Sequence, residues 1–411
     1  MTGLAETAGL AIPAHIDPAR VVDFDFFHDP RYARTPHPYD ALIGLRDEIG
    51  LGIYWTPRNG GHWFITDHEL LFEAARTPEI FSSVHASFPP VPVQQEAFYP
   101  PINTDPPEHA KYRMPLMRAF APAKMDMLAK NIRALTVELI DSVAHDGHCD
   151  FLEAIAEPLP ITIFMQMMGL DLARYHEFRE WVAWMTQNDV EKRTAAYRNI
   201  AAMSRPLIEE RRATPKDDLI GDLTSAQIDG RPFTIEELEG ICILLMGAGL
   251  DTVVNSLSFS MEYLARNPEL QDRLRADPSL IPEAVEEFLR RFSVVFPVRR
   301  VARDSEFHGV TLKQGERVGL YLALGNLDPT AFPDASRFDL ERDNKTHMTF
   351  ISGPHRCVGS HLARIEMITF LEEWLKRLPN VRLDPQSPPS YRTGIVFAVT
   401  ALPLLWDAAA R

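Results

Sequence analysis

The stretch FTIEELEGICILLMGAGLDTVVNSLSFSMEYLARNPEL, residues 233–270, constrains the fold more than any other part of this chain. Thr234 with Glu237 three residues later forms a capping box, and Asn267-Pro268 ends the pattern. The residues between predict a helix of about 32 residues, roughly 48 Å long at 1.5 Å per residue. Polar side chains are scarce in its middle, so the helix is expected to be buried on nearly all sides. Only a large, mainly helical core can surround such an element.

Composition agrees with that expectation. The chain has 411 residues, 45% hydrophobic and 24% charged, as in ordinary globular proteins. A net charge of −15 argues against nucleic acid as a partner. No window reaches the roughly 20 uninterrupted apolar residues of a membrane span, so no membrane association is expected. The first thirty residues lack a basic segment followed by an apolar run, so no signal peptide is expected. Cys149, Cys242 and Cys357 are odd in number and far apart, which disfavours a disulfide framework and points to the cytoplasm.

Along the chain, short strand-like runs GIYW and HWFIT flank a turn at Arg58-Asn59-Gly60-Gly61. From about residue 114 amphipathic helical patterns dominate. RRATPKDDL, 211–219, is the best site for an exposed connection, but helical patterns resume on both sides. With no internal repeat or linker, a single domain over 1–411 is expected. The 33 prolines cluster in FPPVPVQQEAFYPPINTDPPEH, 88–109, which reads as a long ordered loop of the kind that carries function.

FISGPHRCVGSHLAR, 350–364, sets Cys357 between Gly353 and Gly359, before a predicted helix. A zinc site needs four ligands, and only His355 and His361 lie near. A nucleophile needs a base and an oxyanion pocket, which sequence alone leaves open. A haem iron needs one axial thiolate. Glycines on both sides would let backbone approach a flat macrocycle. The free N–H groups of the following helix would temper the sulfur's charge. On these residues alone, a small buried core cysteine also stays open.

The same stretch resembles the signature loop of the cytochrome P450 family, F-x-x-G-x-x-x-C-x-G, through Phe350, Gly353, Cys357 and Gly359. The rest of the family's pattern appears in order. Glu287 and Arg290 in VEEFLRRF match its E-x-x-R pair, one helical turn apart. With the later NLDPTAFPDASRFDLER they resemble the structural lock behind the cysteine loop. DPPEHAKYR matches the haem-propionate stretch through His109 and Arg113, and Arg299 and His355 occupy matching positions. Buried carboxylates need cationic hydrogen-bond donors, and these residues are four. Ala248-Gly249-Leu250-Asp251-Thr252 matches A-G-x-[DE]-T. Read alone, Thr252 could simply bond back to the carbonyl four residues earlier. Read with the cysteine loop, Asp251 and Thr252 are the residues expected to deliver protons during O₂ activation.

The resemblance covers nearly the whole chain and is strongest to the bacterial camphor-hydroxylase group, through NGGHW, GLDTVVNSLSFSMEYLA, EEFLRRFS, SEFHGVTLKQGERV and TGIV. It implies a mainly α, trigonal-prism fold with a smaller β-rich part and haem b (iron protoporphyrin IX) as cofactor. It also implies a cytoplasmic monomer that hydroxylates a substrate with O₂. Electrons would come from a [2Fe–2S] ferredoxin and its NADH-dependent reductase. Lys111, Arg113, Lys345, Arg356 and Arg364 flank the segments expected on the proximal side, where a basic patch would steer that donor. Positions matching the group's substrate contacts are Phe98, Leu244, Gly247, Val295, Ile395 and Val396, with His85, Phe88 and Tyr99 nearby. That lining predicts a compact hydrophobe, a terpenoid or norisoprenoid ketone. Gly247 removes bulk from the helix, leaving room for a skeleton longer than camphor's. Phe98 offers no hydroxyl to a ketone, so His85 or Tyr99 is the expected donor. A peroxide-driven peroxygenase, a haem-binding sensor and a cysteine hydrolase are the competing readings.

Overall fold

The computed structural model describes residues 12–407 except 89, 91, 93–95 and 186–188. Two compact units make up the chain. One is formed by residues up to His109, Leu289–Arg356 and Thr393–Phe397, the other by Ala110–Phe288, Cys357–Arg392 and the segment from Ala398 onward.

The first unit is built on a five-stranded sheet, ordered Ile53–Thr56, His62–Ile65, Arg317–Leu320, Val298–Val301, Phe81–Ser82. The predicted runs around Arg58–Gly61 form its first hairpin, with Trp55 opposite Trp63. Arg317–Leu320 pairs parallel to His62–Ile65, and the other pairings are antiparallel. One core lies on it, including Trp63, Ile65, Phe81, Val318 and Met348. The end of the helix Ile281–Arg291 reaches this unit, and Arg290 is buried there. Its guanidinium donates to the carbonyls of Asn326 (2.7 Å), Ala335 (2.9 Å) and Arg337 (3.2 Å) and lies 5.2 Å over the Phe332 ring. Arg290 therefore fastens the 326–337 segment from within the protein.

The second unit is helical. Helix Ser360–Arg377 packs along Pro122–Val143, and Val190–Ala213 packs against both Ile235–Gly249 and Tyr175–Met185. Helix Val190–Ala213 takes in the first three residues of the predicted exposed connection, 211–219, among them the buried Arg211, and helix Leu219–Ser225 begins at its last residue. Thr234 and Glu237 make the capping box, and the helical run ends at Arg266.

The long helix departs from expectation in one respect. It is interrupted at Leu250, dividing Ile235–Gly249 from Asp251–Arg266. The cause is local. Thr252 Oγ1 donates to Ala248 O (3.0 Å), Asn255 Nδ2 to Asp251 O (2.7 Å) and Ser256 Oγ to Thr252 O (2.8 Å), so side chains compete for the carbonyls of the helical ladder. The run 235–266 is long and apolar enough to cross a membrane, but 67% of its most apolar window is buried inside the protein. It is a core helix.

Candidate functional site

In the helical unit, Cys357 precedes helix Ser360–Arg377, whose N-cap is Gly359. The side chain is exposed, but the protein packed around the sulfur pushes the thiol's pKa up. The backbone N–H groups of Gly359 and Ser360 and the charges of Arg113 and Arg364 pull it the other way. Burial lowers the pKa of Arg113, and the field of Cys357 opposes that shift. Gly359 has an ordinary φ of −82°, and a Cβ there would meet Cys357 Sγ at 3.9 Å, a normal contact. Its smallness keeps the space beside the sulfur open.

The oxygen-side motif lies on the interrupted helix of the same unit. Ala248 and Gly249 are exposed and Leu244 and Gly247 half-buried. A Cβ on Gly249 would find its nearest neighbour, Phe164, only at 4.0 Å, so this face is an uncrowded strip. Thr252 makes the backward bond to Ala248 described above. Asp251 is half-buried, its enclosed Oδ2 has no hydrogen-bond partner, and burial raises its pKa against the pull of Arg392 and Asn255. Gly247 does not open room. A Cβ there would stand 2.5 Å from Met185 Cε, so the expected gap is filled by a side chain 62 residues earlier in the chain.

In the sheet unit, three of the predicted propionate donors come into relation with one acid. The rings of His109 and His355 meet edge-on at 4.4 Å, and His355 Nε2 is 3.0 Å from Ser83 Oγ. Asp105 accepts from Ser82 Oγ (2.5 Å) and Ser83 N (2.8 Å). Arg299 is buried, and burial lowers its pKa to about 10 although the charge of Asp105 supports it. Phe350 is half-buried beside the His347 ring. Gly353 has φ +73°, and a Cβ there would lie 2.4 Å from Ala75 O. Only glycine fits this turn.

The same unit gathers Val295, Ile395 and Val396. Val295 bridges Val396, and Phe296 N donates to Ile395 O (2.9 Å). Ile395 and Phe98 expose large apolar side chains. Phe88 is buried among Phe26, Phe27, His62 and Phe296. Tyr99 N donates to Asn103 Oδ1 (3.0 Å). His85 has φ +55° and its Nδ1 lies 2.7 Å from Glu96. Its Nδ1 is thus engaged by Glu96, and Nε2 is the ring nitrogen that could meet a ketone.

A family model for cytochrome P450 matches residues 132–405. The chain is 35% identical over 402 residues to a probable cytochrome P450 127A1 of Sinorhizobium fredii, covering 96% of this chain and 97% of that protein. It is 31% identical over 371 residues to linalool 8-monooxygenase of Pseudomonas putida, covering 85% and 91%. The solved structure of cytochrome P450 CYP101C1 superimposes with a TM-score of 0.89 at 34% identity, over 97% of this chain and all of that one. The chain belongs to the cytochrome P450 family. It is a bacterial P450 of the CYP101 type, a haem-thiolate monooxygenase with haem b as cofactor, and its activity implies O₂, an organic substrate and redox partners.

The residues fit that cofactor. An exposed thiol stands under helix N–H groups and a half-buried cation, Arg113, and a buried cation, Arg299, sits in the sheet unit. A thiolate ligand and carboxylate-binding cations are what an iron porphyrin requires. Arg392, whose charge lowers the pKa of Asp251, and Glu157, whose pKa the charge of Asp251 raises, escaped the sequence reading. The one signal was the acid that directly precedes Pro158 at the head of an apolar helix.

Proposed function

We propose that Cys357 is the axial ligand and that His109, Arg113, Arg299 and His355 receive the haem carboxylates. The observation that carries this reading is the Cys357 sulfur under the N–H groups of Gly359 and Ser360 and in the field of Arg113. The two units then serve one catalytic domain. When bound, haem supplies O₂ activation and oxygen transfer to the substrate. The chain's own residues bind, orient and supply protons. Burial raises the pKa of Asp251, which favours a proton on its carboxyl, and the neighbouring Thr252 hydroxyl, which donates to Ala248 O, is the group that passes it on. An intact acid and hydroxyl at this place favour a monooxygenase over a peroxygenase, because peroxide arrives already carrying its protons.

The substrate is a compact hydrophobic ketone of the terpenoid or norisoprenoid class. The apolar positions Val295, Ile395, Val396, Phe98 and Leu244 exclude charged ligands, and one relative is named for linalool, itself a terpenoid. Met185 over Gly247 sets the size limit near camphor and ionone and works against longer skeletons. His85 Nε2 and the Tyr99 hydroxyl are the candidate donors for a carbonyl. Electrons come from a [2Fe–2S] ferredoxin and an NADH-dependent reductase in the cytoplasm. Of the cations expected to steer it, Lys111 pairs with Asp229 (2.7 Å) and Arg364 with Glu286 (2.5 and 2.8 Å), and Lys345 and Arg356 are exposed.

The deciding experiment compares wild type with Cys357→His. The wild-type reduced CO complex shows the red-shifted Soret band of thiolate ligation, and the folded variant lacks it. A variant that keeps both band and activity would refute the ligand assignment. Spin-shift titration with camphor, ionones and matched hydrocarbons then tests the substrate class, which fails if hydrocarbons bind as tightly as ketones.

A further inference from the structure

Arg300 and Arg317 stand opposite each other on neighbouring antiparallel strands, Val298–Val301 and Arg317–Leu320. Residues paired in this way project from the same face of a sheet. Side chains alternate along a strand, so Arg299, the cation assigned above to a haem carboxylate, projects from the other face. The burial pattern agrees, with Arg299 buried and Arg300 half-buried.

The two guanidinium groups converge on one turn. Arg317 Nη1 donates to Gly315 O (2.9 Å), and a Cβ on Gly315 would lie 3.6 Å from Arg300 Nη2. Gly315, at φ +94°, has no side chain to come between them. Arg317 Nε donates to Ser87 O (3.1 Å), and the residue keeps only 9% of its surface exposed. Burial lowers the pKa of Arg317, and the charge of Arg300 lowers it further.

Neither cation has a carboxylate of its own among the described residues. Arg317 bonds to the two carbonyls alone, and the Arg300 side chain makes no hydrogen bond or ion pair. The acids of the adjoining loop and turn are committed elsewhere. Glu96, whose charge raises the pKa of Arg317, binds His85 Nδ1 (2.7 Å) and Ser87 Oγ. Asp304 accepts from Lys313 Nζ (2.9 Å) and Gln314 N (2.9 Å). Glu316 meets His15 Nε2 (2.8 Å) and Trp63 Nε1 (2.8 Å). Like charges directly opposite each other destabilise a sheet, the more so when one of them is buried. Two guanidinium forks with N–H groups to spare and no acid between them are suited to an oxyanion.

We propose that Arg300 and Arg317 bind a small tetrahedral oxyanion of the phosphate type on the sheet face opposite Arg299. The anion would accept from Arg300 and from Arg317 Nη2, and so offset two charges that otherwise repel. A tetrahedral dianion suits the pair better than a carboxylate, because it offers oxygens to both forks and matches their two charges. Through the bond of Arg317 to Ser87 O it would also fasten Ser87 to the sheet. The site is independent of the assignment of Cys357 and of haem chemistry.

Thermal unfolding of the haem-loaded enzyme in phosphate, acetate and chloride, at equal ionic strength and pH, tests this. Phosphate should raise the Tm of wild type in a saturable manner beyond chloride, and acetate should not. In Arg300→Gln that specific shift should vanish while the Soret band of the CO complex stays as in wild type. In chloride alone Arg300→Gln should melt no lower than wild type, since it gives up no bond and removes a like charge. Arg300→Lys keeps the charge but not the fork, and should need several-fold more phosphate for the same shift. A wild-type shift no larger in phosphate than in chloride overturns the proposal, as does a full-sized shift in Arg300→Gln. An equal shift in acetate overturns the phosphate-type ligand. A lower Tm of Arg300→Gln in chloride would give Arg300 a structural role and also overturn the site. Should Arg300→Gln not fold, an unchanged phosphate midpoint in Arg300→Lys decides against it.

Discussion

His109 and His355, 246 residues apart in the chain, place their rings edge-on at 4.4 Å, with His355 also bonded to Ser83 at 3.0 Å. The proline-rich stretch and the cysteine loop therefore meet through two imidazole rings in the unit that also holds the buried Arg299. His355→Phe should speed haem loss about 5–30-fold, the loss of roughly 1–2 kcal/mol of hydrogen bonding. Transfer of haem to apomyoglobin measures this. Arg299→Leu should have a larger effect, because a charge-assisted bond is stronger than a neutral one. Wild-type transfer rates in both variants would remove these residues from the propionate site.

Gly353→Ala should fail for two reasons at once. Its φ of +73° disfavours any side chain, and the new Cβ would stand 2.4 Å from Ala75 O. The cost should be at least about 2 kcal/mol. It should appear as a lower urea midpoint and a reduced haem content. Gly359→Ala, where φ is ordinary and the nearest atom is Cys357 Sγ at 3.9 Å, should cost much less stability.

Met185 caps the space above Gly247. Met185→Ala should tighten the binding of ketones longer than camphor relative to camphor itself, measured by spin-shift titration. Gly247→Ala should disturb packing unless combined with Met185→Ala, because its Cβ would lie 2.5 Å from Met185 Cε. Additive effects in the double variant would show that the two positions do not share this volume.

His62 is buried against Phe88, with ring centroids 4.8 Å apart, and burial lowers its pKa from 6.5 to about 4. The unfolded chain binds the proton more readily between those values, so stability rises with pH across that window. The contribution is fully present above 6.5 and is lost as pH falls toward 4. Wild type should lose about 2 kcal/mol from this group between about pH 7 and about pH 5. In His62→Gln the urea midpoint should vary correspondingly less over the same range. An unchanged pH dependence would mean that His62 is not held neutral.

Much of this protein was legible because its chemistry is local. A capping box at Thr234 and Glu237, a stop at Asn267-Pro268, a hairpin around Arg58–Gly61 and a helix start after Gly359 depend on residues a few positions apart, and sequence displays them directly. The glycine at 353 could be read the same way, although what it avoids, Ala75 O, could not. The side chains that decide the site's dimensions and charges depend on distant partners. Nothing in the local sequence tells that Met185 fills the space over Gly247, that Glu96 holds His85, or that Arg290 reaches the carbonyls of 326–337. The break at Leu250 lies between these cases, since Gly249 and Thr252 are visible in sequence but their competition for a carbonyl is settled only in three dimensions. Sequence supplied the candidate groups for holding haem and moving protons, Cys357, Asp251 and Thr252 among them. Tertiary packing decided their acidity, because burial and charges contributed by other elements act on Asp251, Glu157 and Arg299 together.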